Sequence, residues 1–128
     1  MQTAAHTAVV TGAGSKRGIG RATAHALAAA GWNVAVLDLD EAGAKDVADE
    51  IAEQHGVQAV GVACDVTDEA SVEAALAALD QSVPPVGALV NNAGITSPTR
   101  FLDVTDDRNT IRPNPRSARP GATRRVMW

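Results

Sequence analysis

The chain has 128 residues and a mass of 13.1 kDa, the size of one ordinary domain, which leaves little room for a second core. Its 45% hydrophobic content excludes a chain that is disordered throughout, and no apolar run reaches the roughly 18 residues of a membrane span. The net charge of −4 hides an asymmetry: residues 1–99 carry 4 basic and 12 acidic side chains, whereas residues 100–128 carry 7 arginines and 3 aspartates. The start, MQTAAHTAVV, lacks the basic segment and apolar stretch of a secretory signal. The single cysteine, Cys64, allows no internal disulfide. Both features suit a reducing, cytoplasmic setting. There is no tyrosine, and the only lysines are Lys16 and Lys45.

Strand and helix signals alternate along the first hundred residues. His6–Thr11 (HTAVVT) is a β-branched run and predicts a strand ending at Gly12. Gly18 to Ala30 predicts a helix, with Ile19, Thr23, Ala26, Leu27 and Ala30 at helical spacing and Gly31 placed to cap its end. Asn33–Leu37 predicts a second strand with Asp38 at its carboxyl end. Glu41 to His55 is amphipathic, with Ala44, Val47, Ala48, Ile51 and Ala52 on one face, and Gly56 ends it. Gln58–Ala63 predicts a third strand. Thr67 or Asp68 caps a third helix whose apolar face is Val72, Ala75, Leu76 and Leu79. Pro84-Pro85 breaks the chain, and Gly87–Val90 predicts a fourth strand running into Asn91-Asn92-Ala93-Gly94. This alternation argues for right-handed βαβ units and a parallel sheet. Thr105 is placed to cap a further helix, with Asp106 and Asp107 in its first turn. The pattern stops there.

The strongest local signal is Thr11-Gly12-Ala13-Gly14-Ser15-Lys16-Arg17-Gly18-Ile19-Gly20, between the first strand and the first helix. Glycines there let backbone amides approach a pyrophosphate, and the helix start offers unpaired N–H groups and a positive dipole end. Asp38 lies 18 residues after Gly20, where a carboxylate can accept hydrogen bonds from the adenine ribose hydroxyls. A solvated, loop-capping aspartate is the alternative, with Asp40 and Glu41 beside it. A carboxylate at that place repels a 2′-phosphate and favours NAD over NADP. Arg17 argues the other way, because a guanidinium can hold that phosphate. The balance favours NAD.

Together TGAGSKRGIG, the aspartate after the second strand, Cys64-Asp65-Val66 and Asn91-Asn92-Ala93-Gly94 resemble the short-chain dehydrogenase/reductase family over about residues 5–107. The resemblance implies a Rossmann-type doubly wound α/β fold with strand order 3-2-1-4 in the part present. It implies a cofactor site drawn from Gly12, Gly14, Ser15, Arg17, Gly18, Ile19, Gly20, Asp38, Asp65, Val66, Asn92, Ala93 and Gly94. Asp65 would contact the adenine amino group with Val66 nearby, and the NNAG backbone would lie against the cofactor and hold the central strands together. The family motif usually reads T-G-x-x-x-G-x-G. Here five residues separate Gly12 from Gly18, so Lys16-Arg17 resembles a two-residue extension that a loop tolerates at little cost.

That family performs hydride transfer between nicotinamide and a carbonyl or alcohol, using a serine, a tyrosine and a lysine four residues after it, with a helix asparagine assisting. This chain has no tyrosine and no lysine after Lys45. No catalytic residue is assigned, neither Asn109 nor Asn114 is given the asparagine's role, and no metal site is read. The expected organisation is a cofactor-binding half-domain over 1–107 and an aberrant, disordered tail over 108–128. That tail holds six arginines, three prolines and no acid, and Pro113, Pro115 and Pro120 forbid a regular helix. A nucleic-acid-binding arm is the weaker reading, since aromatic residues are lacking apart from Trp128. An unpaired fourth strand would favour self-association through its edge. Three functional readings stand: a truncated dehydrogenase or 3-oxoacyl-carrier-protein reductase-like fragment, a non-catalytic nucleotide-binding or interaction module, and a methyltransferase, against which NNAG argues. Of the other histidines, His25 and His55 read as surface residues; Cys64 reads as a buried thiol. A frameshift or premature termination near Arg108 is expected from the composition break. Sequencing the locus should then show a downstream frame encoding Tyr-x-x-x-Lys, and the lack of such a frame would refute this origin of the tail.

Overall fold

The computed structural model describes residues 6–94. They form β1 (Thr7–Thr11), α1 (Ile19–Ala29), β2 (Asn33–Asp38), α2 (Glu41–His55), β3 (Ala59–Ala63), α3 (Glu69–Ser82) and β4 (Val86–Val90). The strands make one parallel sheet in the order β3-β2-β1-β4, as the family resemblance implies. The expectations for residues 95–107 and for the arginine-rich tail lie outside the described residues.

The sheet is built from the inside out. Every residue of β1 and β2 is buried, whereas β3 and β4 are partly exposed. A parallel strand covered on both faces needs a continuous β-branched or apolar run, and TAVVT and NVAVLD supply it. Alternate residues point to opposite faces. Val10, Val34 and Val36 meet Ala24 and Ala28 of α1 and Ala44, Val47, Ala48 and Ile51 of α2. Val9, Ala35 and Leu37 meet Cys64 and, from α3, Ala75 and Leu79. Val86 and Leu89 of β4 stay exposed.

Helix ends follow local chemistry. Trp32 N–H donates to Leu27 C=O and Gly31 N–H to Ala28 C=O, so α1 closes in a Schellman turn with Gly31 at φ 95°. Gly56 ends α2 in the left-handed region. Asp40 caps α2 by accepting from Gly43 N–H, and Asp68, rather than Thr67, caps α3 by accepting from Ala70 N–H.

Three sequence expectations are corrected. The buried stripe of α1 is Gly20, Ala24 and Ala28, not the set running from Ile19 to Ala30. Ile19 is 80% exposed. The helix turns its smallest residues to the sheet because the contact is backbone-close, while apolar spacing alone favours the larger side chains. Leu76 of α3 faces outward, since Ala75 and Leu79 fill that interface. His25 and His55 are not independent surface residues. His25 is only 16% exposed at its side chain and lies 3.1 Å from His55, Nδ1 to Nε2, across the α1–α2 contact.

Arg21 of α1 grips Glu50 of α2 with two hydrogen bonds, Nε to Oε2 at 3.1 Å and Nη2 to Oε1 at 2.5 Å. That hydrogen bonding holds the Glu50 carboxyl below its ordinary range. A depressed carboxylate stabilises the fold above its unfolded value of about 4.3 and loses that contribution as pH falls through its folded value. The destabilisation caused by Arg21→Gln should therefore be largest near neutral pH and shrink toward pH of about 3. Urea unfolding of both proteins at the two pH values measures this, and an unchanged difference would refute it.

Candidate functional site

The carboxyl ends of β1, β2 and β4 converge on the glycine turn. Gly12 follows β1 with φ 69°, a conformation open to glycine. A Cβ there would lie 2.8 Å from the Cα of Ala93. Gly12 N–H donates to Leu37 C=O at 2.7 Å, and Gly12 C=O accepts from Asn92 Nδ2 at 3.1 Å. Thr11 Oγ1 accepts the N–H groups of Asn92 and Ala93, each at 3.1 Å, and its hydroxyl faces Val90 C=O at 3.4 Å. These bonds fasten β4 to β1 where the strand order reverses, the place at which doubly wound sheets bind ligands.

Asp38 closes the other side. It is 3% exposed. Its Oδ2 accepts from Gly14 N–H at 2.8 Å and its Oδ1 from Asp40 N–H at 3.0 Å. A Cβ on Gly14 would lie 2.8 Å from Asp38 Cβ and Cγ. Thus Asp38 is a buried acceptor that anchors the glycine turn and holds the start of the loop after β2, while Asp40 caps α2. Each Asp38 oxygen has a second lone pair for a further donor.

Gly18 is the N-cap of α1 with extended backbone, no side chain caps the helix, and no acid stands in its first turn. The other two helices are capped by aspartates. The α1 start therefore keeps its amides and positive dipole end for an anion. Gly20 lets this turn approach the sheet, because a Cβ there would meet Asn92 Nδ2 and Gly12 C=O at 2.5 and 2.7 Å. Ser15, Lys16 and Arg17 are exposed on the extended loop, beside the exposed Ile19.

Asp65 follows β3 and is half-buried. Its Oδ1 accepts from Thr67 N–H at 3.0 Å and from Thr67 Oγ1 at 2.6 Å, and these bonds hold its carboxyl below the usual range. Ser71 Oγ accepts Asp65 N–H at 2.9 Å. Val66 is 41% exposed, and the Cys64 thiol is buried, which pushes its pKa up. Asn92 and Ala93 are half-buried, and Asn91 and Gly94 are exposed. Thr11, Ser71 and Gly43 are structural partners that sequence reasoning gave no role. Gly43 admits the Gly14 carbonyl, which a Cβ would meet at 2.6 Å. No spacing rule marks Ser71 or Gly43; Thr11 is signalled only by standing before Gly12.

A glycine cradle that a Cβ would fill, an uncapped helix start and a buried acceptor at the end of β2 define a dinucleotide-binding α/β class. The residues present fit the adenosine and pyrophosphate portions of such a ligand. The sequence profile described as short chain dehydrogenase matches residues 6–114, and the chain belongs to that family of oxidoreductases, which bind a nicotinamide cofactor. It is 45% identical over 101 residues to an uncharacterized short-chain type dehydrogenase/reductase of Sinorhizobium fredii, covering 78% of this chain and 40% of that protein. It is 45% identical over 89 residues to a 3-oxoacyl-acyl-carrier-protein reductase of Aquifex aeolicus, covering 70% of this chain and 36% of that one. L-sorbose reductase of Gluconobacter frateurii, solved with NADPH and L-sorbose, superposes with TM-score 0.69 at 31% identity, covering 79% of this chain and 38% of that one. The chain thus spans well under half the length of these relatives.

The Thr11 hydroxyl is the joint of the site. Thr11→Val keeps the shape but leaves the Ala93 amide without its acceptor and the Asn92 amide with Val90 C=O alone. The expected loss is about 1–3 kcal/mol of stability in urea unfolding. A loss below a few tenths of a kcal/mol would mean that the latch carries no load.

Proposed function

We propose that these residues form the adenosine and pyrophosphate part of a nicotinamide-dinucleotide site in a short-chain dehydrogenase, with NAD preferred over NADP. The observation that carries this is the buried Asp38 carboxylate, held against the glycine turn by Gly14 N–H at the carboxyl end of β2. In this reading the ribose hydroxyls donate to the free lone pairs of Asp38. The pyrophosphate rests on the amides of Ile19 and Gly20, with Gly12, Gly14, Ser15 and Gly18 lining its approach. Asp65 and Val66 border the adenine, and Asn92, Ala93 and Gly94 line the inner wall. Arg17, with Lys16 beside it on the exposed loop, would favour a 2′-phosphate, and the L-sorbose reductase carries NADPH. Against it stands a fixed, buried negative charge, which a 2′-phosphate approaches only by displacing it or adding a proton.

A bound nicotinamide supplies hydride chemistry. What this chain supplies is binding and orientation. Its 128 residues include no tyrosine and no lysine beyond Lys45, so it brings no phenol to move the substrate proton. The reading is therefore dinucleotide binding without turnover by these 128 residues alone. That absence also favours the second reading, a non-catalytic nucleotide-binding module. The similarity to 3-oxoacyl-acyl-carrier-protein reductase suggests a carbonyl substrate class for a longer form.

Titration calorimetry with NAD and NADP tests the proposal. NAD should bind at least about tenfold more tightly, a difference of about 1.4 kcal/mol, and Asp38→Asn should bring the two toward parity. Equal affinities in the unmodified chain would overturn the preference, and carbonyl reduction by it would overturn the lack of turnover.

A further inference from the structure

The contact between α1 and α2 holds a polar cluster that the dinucleotide site does not use. His25 on α1 and His55 in the last turn of α2 face each other, His25 Nδ1 lying 3.1 Å from His55 Nε2. Their ring centroids are 5.3 Å apart, with the planes at 64°. Two imidazole nitrogens at this separation either share one proton or face one ion. Imidazole binds a late first-row divalent ion at about 2.0–2.1 Å. Two such bonds ending on atoms 3.1 Å apart meet at about 98°. That angle lies between the right angle of square-planar or octahedral coordination and the tetrahedral value.

The far side of His25 fits a ring that keeps its proton on Nε2, as a ligand through Nδ1 requires. Its Nε2 is fully buried, has no hydrogen-bond partner, and lies 3.6 Å from Glu50 Oε2. A histidine that ligates through Nδ1 must carry its proton on Nε2. Metal-bound histidines characteristically donate that second N–H to a carboxylate, which fixes the ring and raises its basicity. Glu50 is the carboxylate, and it is itself fixed by the two hydrogen bonds from Arg21. The orienting partner of the ring is thus in place, and a small contraction completes it.

We propose that His25 and His55 form a two-histidine site for a late first-row divalent ion such as Zn²⁺ or Cu²⁺. Glu50 is a positioning residue, and water fills the remaining coordination positions. Imidazole donors select these ions over Mg²⁺ and Ca²⁺, which take oxygen. Among the described residues, no group of three or more His, Cys, Asp or Glu side chains could hold a metal ion. The site is therefore an open, exchangeable one. Its ion bridges α1 to α2 and binds the folded state only, so it stabilises that state.

The test is titration of the full chain with Cu²⁺, followed by electron paramagnetic resonance, and with Zn²⁺, followed by thermal unfolding, near neutral pH. One Cu²⁺ per chain should bind with the hyperfine pattern of two nitrogens. Zn²⁺ at tenfold excess over its Kd should raise Tm by about 5 °C. His55→Gln and His25→Gln should each weaken binding at least about tenfold, and Glu50→Gln by about tenfold. His6→Gln, whose ring lies at the start of β1, should bind like the unmodified chain. Circular dichroism before titration verifies the fold of each variant. His55 is half-exposed at a helix end, so His55→Gln serves as the folded variant if His25→Gln unfolds. Retained binding in folded His55→Gln, or no one-equivalent site in the unmodified chain, would overturn the proposal and leave the pair sharing a proton.

Discussion

The site depends on how closely backbone can approach backbone at the carboxyl ends of β1 and β4. Gly12, Gly14 and Gly20 each stand where a Cβ would come within 3 Å of another part of the chain. Those contacts are the Ala93 backbone, the Asp38 side chain, and Asn92 with the Gly12 carbonyl. Removing three methyl-sized groups lets the turn, the first helix and two strand ends share one small volume. Thr11, Asn92 and Asp38 then satisfy the polar groups trapped there. A buried backbone amide without a partner costs as much as a lost hydrogen bond, so glycines and acceptors have to occur together.

The same constraint explains the unequal helices. Asp40 and Asp68 cap α2 and α3, whereas α1 begins at Gly18 with extended backbone and no capping side chain. Helix stability alone would favour a serine or aspartate there. Leaving the start open gives up part of that stability and keeps a place for an anion. The helix is held by its packing on the sheet and by the α1–α2 contact, where Arg21 and Glu50 join the two helices beside the histidine pair.

Element types were legible because two periodicities separate cleanly in this sequence. The buried β-branched runs at TAVVT and NVAVLD permit little but a strand, and Glu41–His55 carries its apolar face, aspartate cap and terminal glycine in one segment. The first helix was less legible. Alanine is common on several of its faces, so apolar spacing favoured Ile19 and Thr23 over the Gly20–Ala24–Ala28 stripe that meets the sheet. Asp38 was legible as a position and illegible as an environment. Its place after the second strand is a matter of counting, but its burial and its bond to Gly14 exist only once the glycine turn folds over it.

By itself, the sequence determined the alternation of strand and helix, the glycine turn, and the lack of a tyrosine or a later lysine for proton transfer. These depend on residue type and local spacing, which propensity and sterics read without reference to distant parts of the chain. Only the tertiary structure decided that Thr11 joins β1 to residues about eighty positions away, and that Asp38 is buried against Gly14. It also decided that His25 and His55, thirty residues apart, meet at one point. Those facts depend on which helix faces pack and on where parallel strands end in register, and no local pattern encodes either.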